Sequence, residues 1–448
     1  MKRKLLIVAG IVCFSNFSFS QFIVKDAYFE SMGVSNQGKV VGYGEWGGPF
    51  SIWTPETQAV DTIYGLAPGN GIGGRANFSA DGNYLSGTSM GTIGSEMSRF
   101  SVASDSWTTV GNFGFAIDNA ASSGYAISGD GNSVAGSAWM DTNNTGGTAV
   151  THATVWNQTE GIMDLGSLFL DKSTRINAIS NDGSVAVGWQ DFNGPWKAAV
   201  WRKNPAGGYF PNEYLLLDEA GSATDEYNQM GEATAVSNDG NWIGGAGDFT
   251  NNGNPWMWSQ TTGVVDLGSL SPGGSGYVAA INEDGTMAVG RIQVGPWDPE
   301  LPFIWTPAGG IQNLNDFATN VMGIDLGTKQ IYSANCMSLN GDYIAGYGVD
   351  NETFAYFTYR LSVATASISE NEKQTINIYP NPATDILTIE NSGESTLTIT
   401  NLEGKIIHNT TINGTQKIDV SSFESGVYFL SLISINSRNT TTQKFLKK

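Results

Sequence analysis

The chain has 448 residues, 57 of them glycine, and only 14% are charged, against roughly 7% glycine and 25% charge in average proteins. Its net charge of −20 excludes a general nucleic-acid binder, which needs a basic face to neutralise phosphates. Hydrophobic residues at 40% and aromatics at 11% supply packed cores and exclude an acidic disordered chain. Abundant glycine and tryptophan with little charge point to short strands joined by many turns.

Residues 1–20 read as a signal peptide. Lys2, Arg3 and Lys4 precede an apolar run from Leu5 to Phe14, and Ser18-Phe19-Ser20 supplies the small-x-small cleavage site. The run is too short to span a bilayer core of roughly 30 Å. No later stretch offers a transmembrane helix. Removing Cys13 with the signal leaves Cys336 alone, so the mature chain forms no internal disulfide.

From residue 21 to 362 one unit recurs seven times. An apolar stretch and a small residue lead into Asp-Gly, then a second apolar stretch ends in glycine. The turn glycines are Gly38, Gly82, Gly131, Gly183, Gly240, Gly285 and Gly341. A second glycine follows as Gly42, Gly87, Gly136, Gly188, Gly245, Gly290 and Gly346. A third strand centres on Trp53, Trp156, Trp201, Trp258 and Trp305, with Val102 and Phe357 expected in the remaining two copies. A fourth strand is expected at Asp164-Leu165-Gly166-Ser167-Leu168 and its verbatim repeat at 266–270. The Asp-Gly pairs predict type I′ hairpins, with positive φ at both central residues.

Four short strands per unit cannot bury both faces of a sheet, whereas radial stacking of seven can. The expected fold is all-β: a seven-bladed β-propeller followed by a small antiparallel β-sandwich. The seventh unit stops after its third strand, and Phe22 to Asp26 is the unused strand expected to close the ring. A parallel β-helix, or six or eight blades, are the alternatives. On these motifs, residues 29–360 resemble the extracellular HAF repeats and, more distantly, TolB-like propeller repeats. That resemblance implies a fold and no specific activity.

Within each unit the first-to-second and third-to-fourth connections are tight, and the other two are long. The long loops therefore gather at one mouth of the channel, where binding residues usually sit. Trp46, Trp139, Trp189, Asp191, Asp225, Glu226, Asp248, Trp297, Asp298 and Glu300 lie there, and aromatic rings beside carboxylates suit a sugar or a cation. No catalytic or metal residues are assigned. His152 is the one histidine of the repeats, is expected in a surface loop, and has no nucleophile elbow beside it. No cofactor is expected. Structural calcium is the one alternative, from the loops at 141–146 and 248–253, which lack the acidic twelfth residue of a calcium loop.

After a linker at 363–375, residues 376–448 turn to alternating Ile, Thr, Leu and Asn, the pattern of a small β-sandwich. Tyr379-Pro380-Asn381-Pro382 opens the segment. Gly426 and Tyr428 mark a Gly-x-Tyr strand, and Lys444, Phe445, Lys447 and Lys448 form a basic ending. On these residues the segment, from about 370 onward, resembles the type A C-terminal sorting domain of the type IX secretion system, the Por secretion tail. The resemblance implies docking to the type IX machinery, normally followed by cleavage of the tail, and a product released or held on the outer surface of a Gram-negative bacterium. The expected function is a secreted or surface propeller that binds glycan or protein without catalysis. The alternatives are an extracellular polysaccharide hydrolase or lyase using loop-face carboxylates, and a purely structural surface protein.

Overall fold

The computed structural model describes residues 21–448 except 46–47, 67–73, 142–148, 192–195, 211–229, 248–252, 296–297, 364–376, 391–393, 402–404 and 435–439. The signal peptide expected at 1–20 lies outside the described residues. The chain divides into two compact units, Met1–Ala366 and Ser367–Lys448.

Among the described residues the first unit holds seven small antiparallel sheets in chain order. The first sheet is representative, with strands Glu30–Val34, Val40–Tyr43, Phe50–Thr54 and Ala59–Ile63, each paired to the next. Strands this short expose both faces unless neighbours cover them. Here each pair of successive sheets shares an apolar core. Val41 and Phe50 meet Phe78 and Leu85 between the first and second sheets, and Met97 meets Val134 between the second and third. The succession continues through Val155 with Trp201, Val200 with Ile243, Met257 with Phe303, and Ile304 with Phe357. It returns to its start where Cys336 and Ala345 of the seventh sheet pack on Val34 and Trp53 of the first.

Phe22–Lys25 pairs antiparallel with Tyr356–Ser362 of the seventh sheet, Phe22 opposite Leu361 and Lys25 opposite Thr358. This is the closure expected from the unused strand. Buried Thr358 adds to it, its hydroxyl donating to the carbonyls of Ala27 and Phe29. The buried Arg360 guanidinium pairs with Glu56 of the first sheet.

Three local expectations are corrected. The Asp-Gly turns are not type I′, since only the glycine has positive φ, from +70° at Gly82 to +79° at Gly38. The Gly82 N–H donates back to the Ser79 carbonyl at 2.9 Å, so a type I turn precedes a left-handed glycine. Asp164-Leu165-Gly166 is a strand end rather than a strand: Gly161–Asp164 is the paired segment, and the Asp164 carboxylate accepts from the Gly166 N–H at 2.7 Å. The residues equivalent to the tryptophans in the second and seventh sheets are Phe100, opposite Leu85, and Leu361, opposite Ile344, not Val102 and Phe357.

One short helical segment interrupts the β pattern between the sixth and seventh sheets, at Leu314–Asp316 and Phe317–Val321. Asn313 caps it, accepting from the Asn315 N–H, and Leu314 and Ala318 are buried.

Among the described residues the second unit holds two sheets. One orders Asn377–Tyr379, Ile386–Glu390 and Gln416–Asp419; the other orders Ile406–Asn413, Glu394–Asn401, Gly426–Ser434 and Thr440–Lys447. Leu387, Ile389 and Ile418 of the first bury one core with Leu397, Leu430 and Phe445 of the second.

Candidate functional site

The second glycine of each repeat shapes the site. Opposite it the inner strand carries a β-bulge in five sheets, leaving Met32, Tyr125, Asn177, Thr234 and Ala279 unpaired. A bulge bends the strand and re-aims the extra residue. The bend presses the inner strand against the glycine. An ideal Cβ at Gly188 would lie 1.9 Å from the Arg175 carbonyl oxygen, and one at Gly136 1.9 Å from that of Ser123. Any other residue there would force the strands apart.

All five bulged residues line one cavity of about 430 Å³. Polar residues on this circle also tie neighbouring sheets together. Asn77 donates to the Tyr125 carbonyl at 2.9 Å, Asn177 to that of Ala233 at 2.9 Å, and Thr234 to that of Val278 at 2.6 Å.

Three arginines and one carboxylate converge on the cavity: Arg75, Arg175, Arg291 and Glu232. Residues 21–369 hold 12 basic and 34 acidic side chains, so a quarter of that region's cations meet in one place. Arg75 is used structurally, donating to the Met32 and Asn335 carbonyls, both at 3.0 Å. Arg291 pairs with Glu300 at 2.9 Å and lies over the Tyr277 ring at 4.9 Å. Arg175 donates through Nε to Asn177 Oδ1 at 3.1 Å. Its guanidinium stands over Tyr125 at 4.5 Å, Trp189 at 5.3 Å and Trp196 at 5.6 Å. Trp189 and Trp196 are themselves stacked, 4.5 Å apart and 8° from parallel.

Burial pushes the Glu232 carboxyl above its ordinary value, against the opposing pull of Arg175 and of the Asn177 amide, which donates to it at 3.0 Å. Burial raises Glu300 in the same way, opposed by Arg291 and by the Tyr347 hydroxyl at 3.3 Å. Beside them Glu30 accepts from the Asn335 amide at 3.0 Å and from the Tyr28 hydroxyl. Burial, then the neighbouring Glu30, holds that phenol well above its usual value.

The residues expected at the mouth fall in different places. Trp189 and Glu300 meet the arginines, Trp189 through Arg175 and Glu300 through Arg291. Trp139 is half-buried in the third sheet opposite Thr151. Asp191 is half-buried, its N–H donating to the Ser173 carbonyl at 2.8 Å, and Asp298 is exposed. Trp46, Asp225, Glu226, Asp248 and Trp297 lie outside the described residues, as does most of both calcium-like loops. Among the described residues no three acidic, histidine or cysteine side chains cluster as a metal site. His152 is not in a loop: it lies in the strand Ala149–Asn157, with Nδ1 3.0 Å from Asp164 Oδ1. Cys336 is buried, and burial pushes its thiol up to about 12.

Sequence reasoning missed Arg75, Arg175, Arg291 and Glu232. A signal for two of them is positional: Arg175 and Glu232 both stand five residues before the turn serine, at Ser180 and Ser237. Arg291, like Trp189 and Tyr347, directly follows the second glycine of its repeat.

In the second unit the singled-out residues come together. Asn381 accepts from the Leu446 N–H at 3.0 Å and donates to the Lys444 carbonyl at 3.3 Å. The Lys448 N–H reaches the Ala383 carbonyl at 2.9 Å. Tyr379-Pro380-Asn381-Pro382 is thereby tied to the basic last strand. Gly426 pairs with Lys447, the Tyr428 ring stacks on Phe445 at 5.5 Å, and the Tyr379 hydroxyl bonds Glu390 at 2.9 Å. Lys444 and Lys448 are exposed, while Lys447 is buried and donates to the Lys448 carbonyl.

Among the described residues no helix is long and apolar enough to cross a membrane. No curated protein matches the chain. Among solved structures, TolB from Acinetobacter baumannii is 17% identical, with 59% of this chain and 58% of that one covered and a TM-score of 0.38. This chain thus spans little more than half of that protein's length. The β-propeller domain of the Trilobed protease from Pyrococcus furiosus is 11% identical, covering 78% of this chain and 99% of its own at a TM-score of 0.43. An oligogalacturonate lyase from Vibrio parahaemolyticus is 14% identical, with 76% and 91% covered at a TM-score of 0.43. Residues 377–448 match the family described as the secretion system C-terminal sorting domain, and this tail marks the chain for export by type IX secretion to the cell surface or the extracellular space.

Proposed function

We propose that the first unit is a seven-bladed β-propeller of HAF-like repeats and the second a β-sandwich sorting domain. Together they make a secreted or surface module that binds glycan or another surface protein at the channel mouth. Residues 1–20 act as the signal peptide that starts export. Seven shared cores in chain order, the last returning to the first sheet, support the blade count. The observation that carries the binding reading is the cavity of about 430 Å³, which lies in the roughly 300–1,000 Å³ range of small-ligand sites. Its wall combines aromatic rings with a few charged groups, the usual make-up of such sites.

The test is a glycan array with the purified secreted protein, followed by chromatography of any retained ligand. Retention of intact ligand is the expected result. Turnover into shorter products would replace the binding reading with the hydrolase or lyase. The two carboxyls raised by burial, Glu232 and Glu300, would then be the first to substitute, because a raised carboxyl suits a general acid. Absence of any glycan or protein ligand would leave the structural reading.

A further inference from the structure

We propose that the mouth recognises a saccharide through an anionic substituent, a carboxylate or a sulfate, gripped by Arg175, with the ring of Trp196 as the platform for the sugar. This rests on the binding-module reading and names its ligand class.

Three observations converge. First, the cavity wall brings together three of the 12 basic residues of residues 21–369, with Glu232 on the same wall and Glu300 paired to Arg291. An arginine in a recess attracts an anion where no carboxylate already occupies its donors. Second, the arginines are not equally occupied. Arg75 is committed to two backbone carbonyls and Arg291 to Glu300. Arg175 uses only Nε, on Asn177, and among the described residues its two terminal nitrogens have no hydrogen-bond partner. The guanidinium fork presents paired donors that match the paired oxygens of a carboxylate or sulfate. Three aromatic rings around it fix the side chain before any ligand arrives, which lowers the entropy cost of binding. Third, the Trp189–Trp196 stack is asymmetric: Trp189 is buried and Trp196 is 44% exposed. An open indole ring beside an arginine suits the apolar C–H face of a pyranose whose acidic substituent points at the cation. A bare inorganic anion would not use the indole, and a neutral sugar would leave the guanidinium unsatisfied.

Glu232 opposes binding. It lies beside Arg175 and accepts from Asn177, so its charge competes with an incoming anion.

The experiment is calorimetric titration of the full secreted chain with glucuronate-bearing oligosaccharides, sulfated oligosaccharides, the carboxyl-reduced and desulfated twins, and inorganic phosphate and sulfate alone. An anionic sugar should bind at least about tenfold more tightly than its neutral twin, as expected for a charged pair in a recess, and the margin should shrink with added salt. The carboxylate and sulfate arms identify which anion is preferred. Arg175→Ala should erase the margin, and Trp196→Ala should weaken acidic and neutral sugars alike. Arg175→Ala can also perturb folding by leaving Glu232 without its counter-charge. Glu232→Gln keeps the Asn177 bond and should tighten acidic ligands several-fold relative to their neutral twins. Equal binding of acidic and neutral twins, or no gain in Glu232→Gln, overturns the anionic assignment while the binding-module reading stands. Inorganic ions binding as well as the sugars overturns the saccharide part. No binding by any of these probes overturns the saccharide and the anion together, and leaves a protein as the ligand of the binding reading.

Discussion

In six of the seven sheets the first hairpin turn is held by one serine hydroxyl, and in the sixth the Asn282 amide oxygen takes its place, accepting from the Met287 N–H at 2.9 Å. In the fifth sheet Ser237 donates to Asp239 at 2.5 Å while its oxygen accepts from the Trp242 N–H at 2.9 Å, and Asp239 accepts from the Asn241 N–H at 3.0 Å. The same set recurs at Ser79 with Asp81 and Tyr84, and at Ser180 with Asp182 and Val185. Ser237→Ala leaves a main-chain N–H without its acceptor and should cost about 1–3 kcal/mol, read by urea unfolding. Burial pushes Asp81, Asp182 and Asp239 up, but the hydroxyl and amide bonds outweigh it and hold all three below the usual carboxylate range. Carboxyls lowered on folding contribute stability that is complete above their ordinary value of about 4 and lost as pH falls through the lowered one. Melting temperature should therefore drop on acidification below about pH 4, and Asp239→Asn should flatten that drop. Asp-Gly was legible as a turn. Its type was not, because the hydroxyl five residues before the next strand residue decides the geometry and the dipeptide does not. The tryptophan position was likewise readable in five repeats. In the second and seventh, Phe100 and Leu361 take the place, and only pairing register distinguishes them from Val102 and Phe357 nearby.

At the scale of strands, glycine and bulge act as one device. The glycine offset was plain in the sequence, but its partner was not, since a bulge leaves no residue-type signature of its own. That is why the sequence pointed to the long loops for ligand contacts while Arg175, Glu232 and Arg291 sit on strands or at their ends. Gly188→Ala would drive a Cβ into the Arg175 carbonyl. It should destabilise by about 1–3 kcal/mol, as overpacking does, and weaken ligand binding beyond what the stability loss explains, measured by melting and titration together. The closing strand is the other test at this scale. Deleting residues 22–25 removes the pairing to Tyr356–Ser362 and bares Phe357 and Tyr359, against which Phe22 packs. The first unit should then melt at least several degrees lower, with the loss visible by calorimetry.

Across the whole chain, acidity and recognition are distributed unequally. Residues 21–369 carry the excess of acids, and the last strand ends in exposed and buried lysines within a segment of 7 basic and 8 acidic residues. The export tail was the most legible part of the sequence, because Tyr379-Pro380-Asn381-Pro382 and the basic ending are fixed strings that the fold brings together through Asn381. Deleting Lys444 to Lys448 removes one side of that contact and should leave the protein cell-associated, read by immunoblot of medium against cells. Asn381→Ala should reduce export in the same direction by a smaller amount.

The pairing of Phe22 with Leu361 also sets an order of events. Contacts between residues this far apart in the chain are entropically the last to form. The earliest strand stays without a partner until the last repeat has been synthesised and has folded back to meet it. A partly made chain therefore lacks its seventh sheet and leaves the apolar face of the sixth uncovered, a state open to chaperones and proteases. A finished chain gains both at once. Closure is thus the step that joins the two ends of the unit, and a chain stopped short of Leu361 keeps the strand Phe22–Lys25 without the partner it has here.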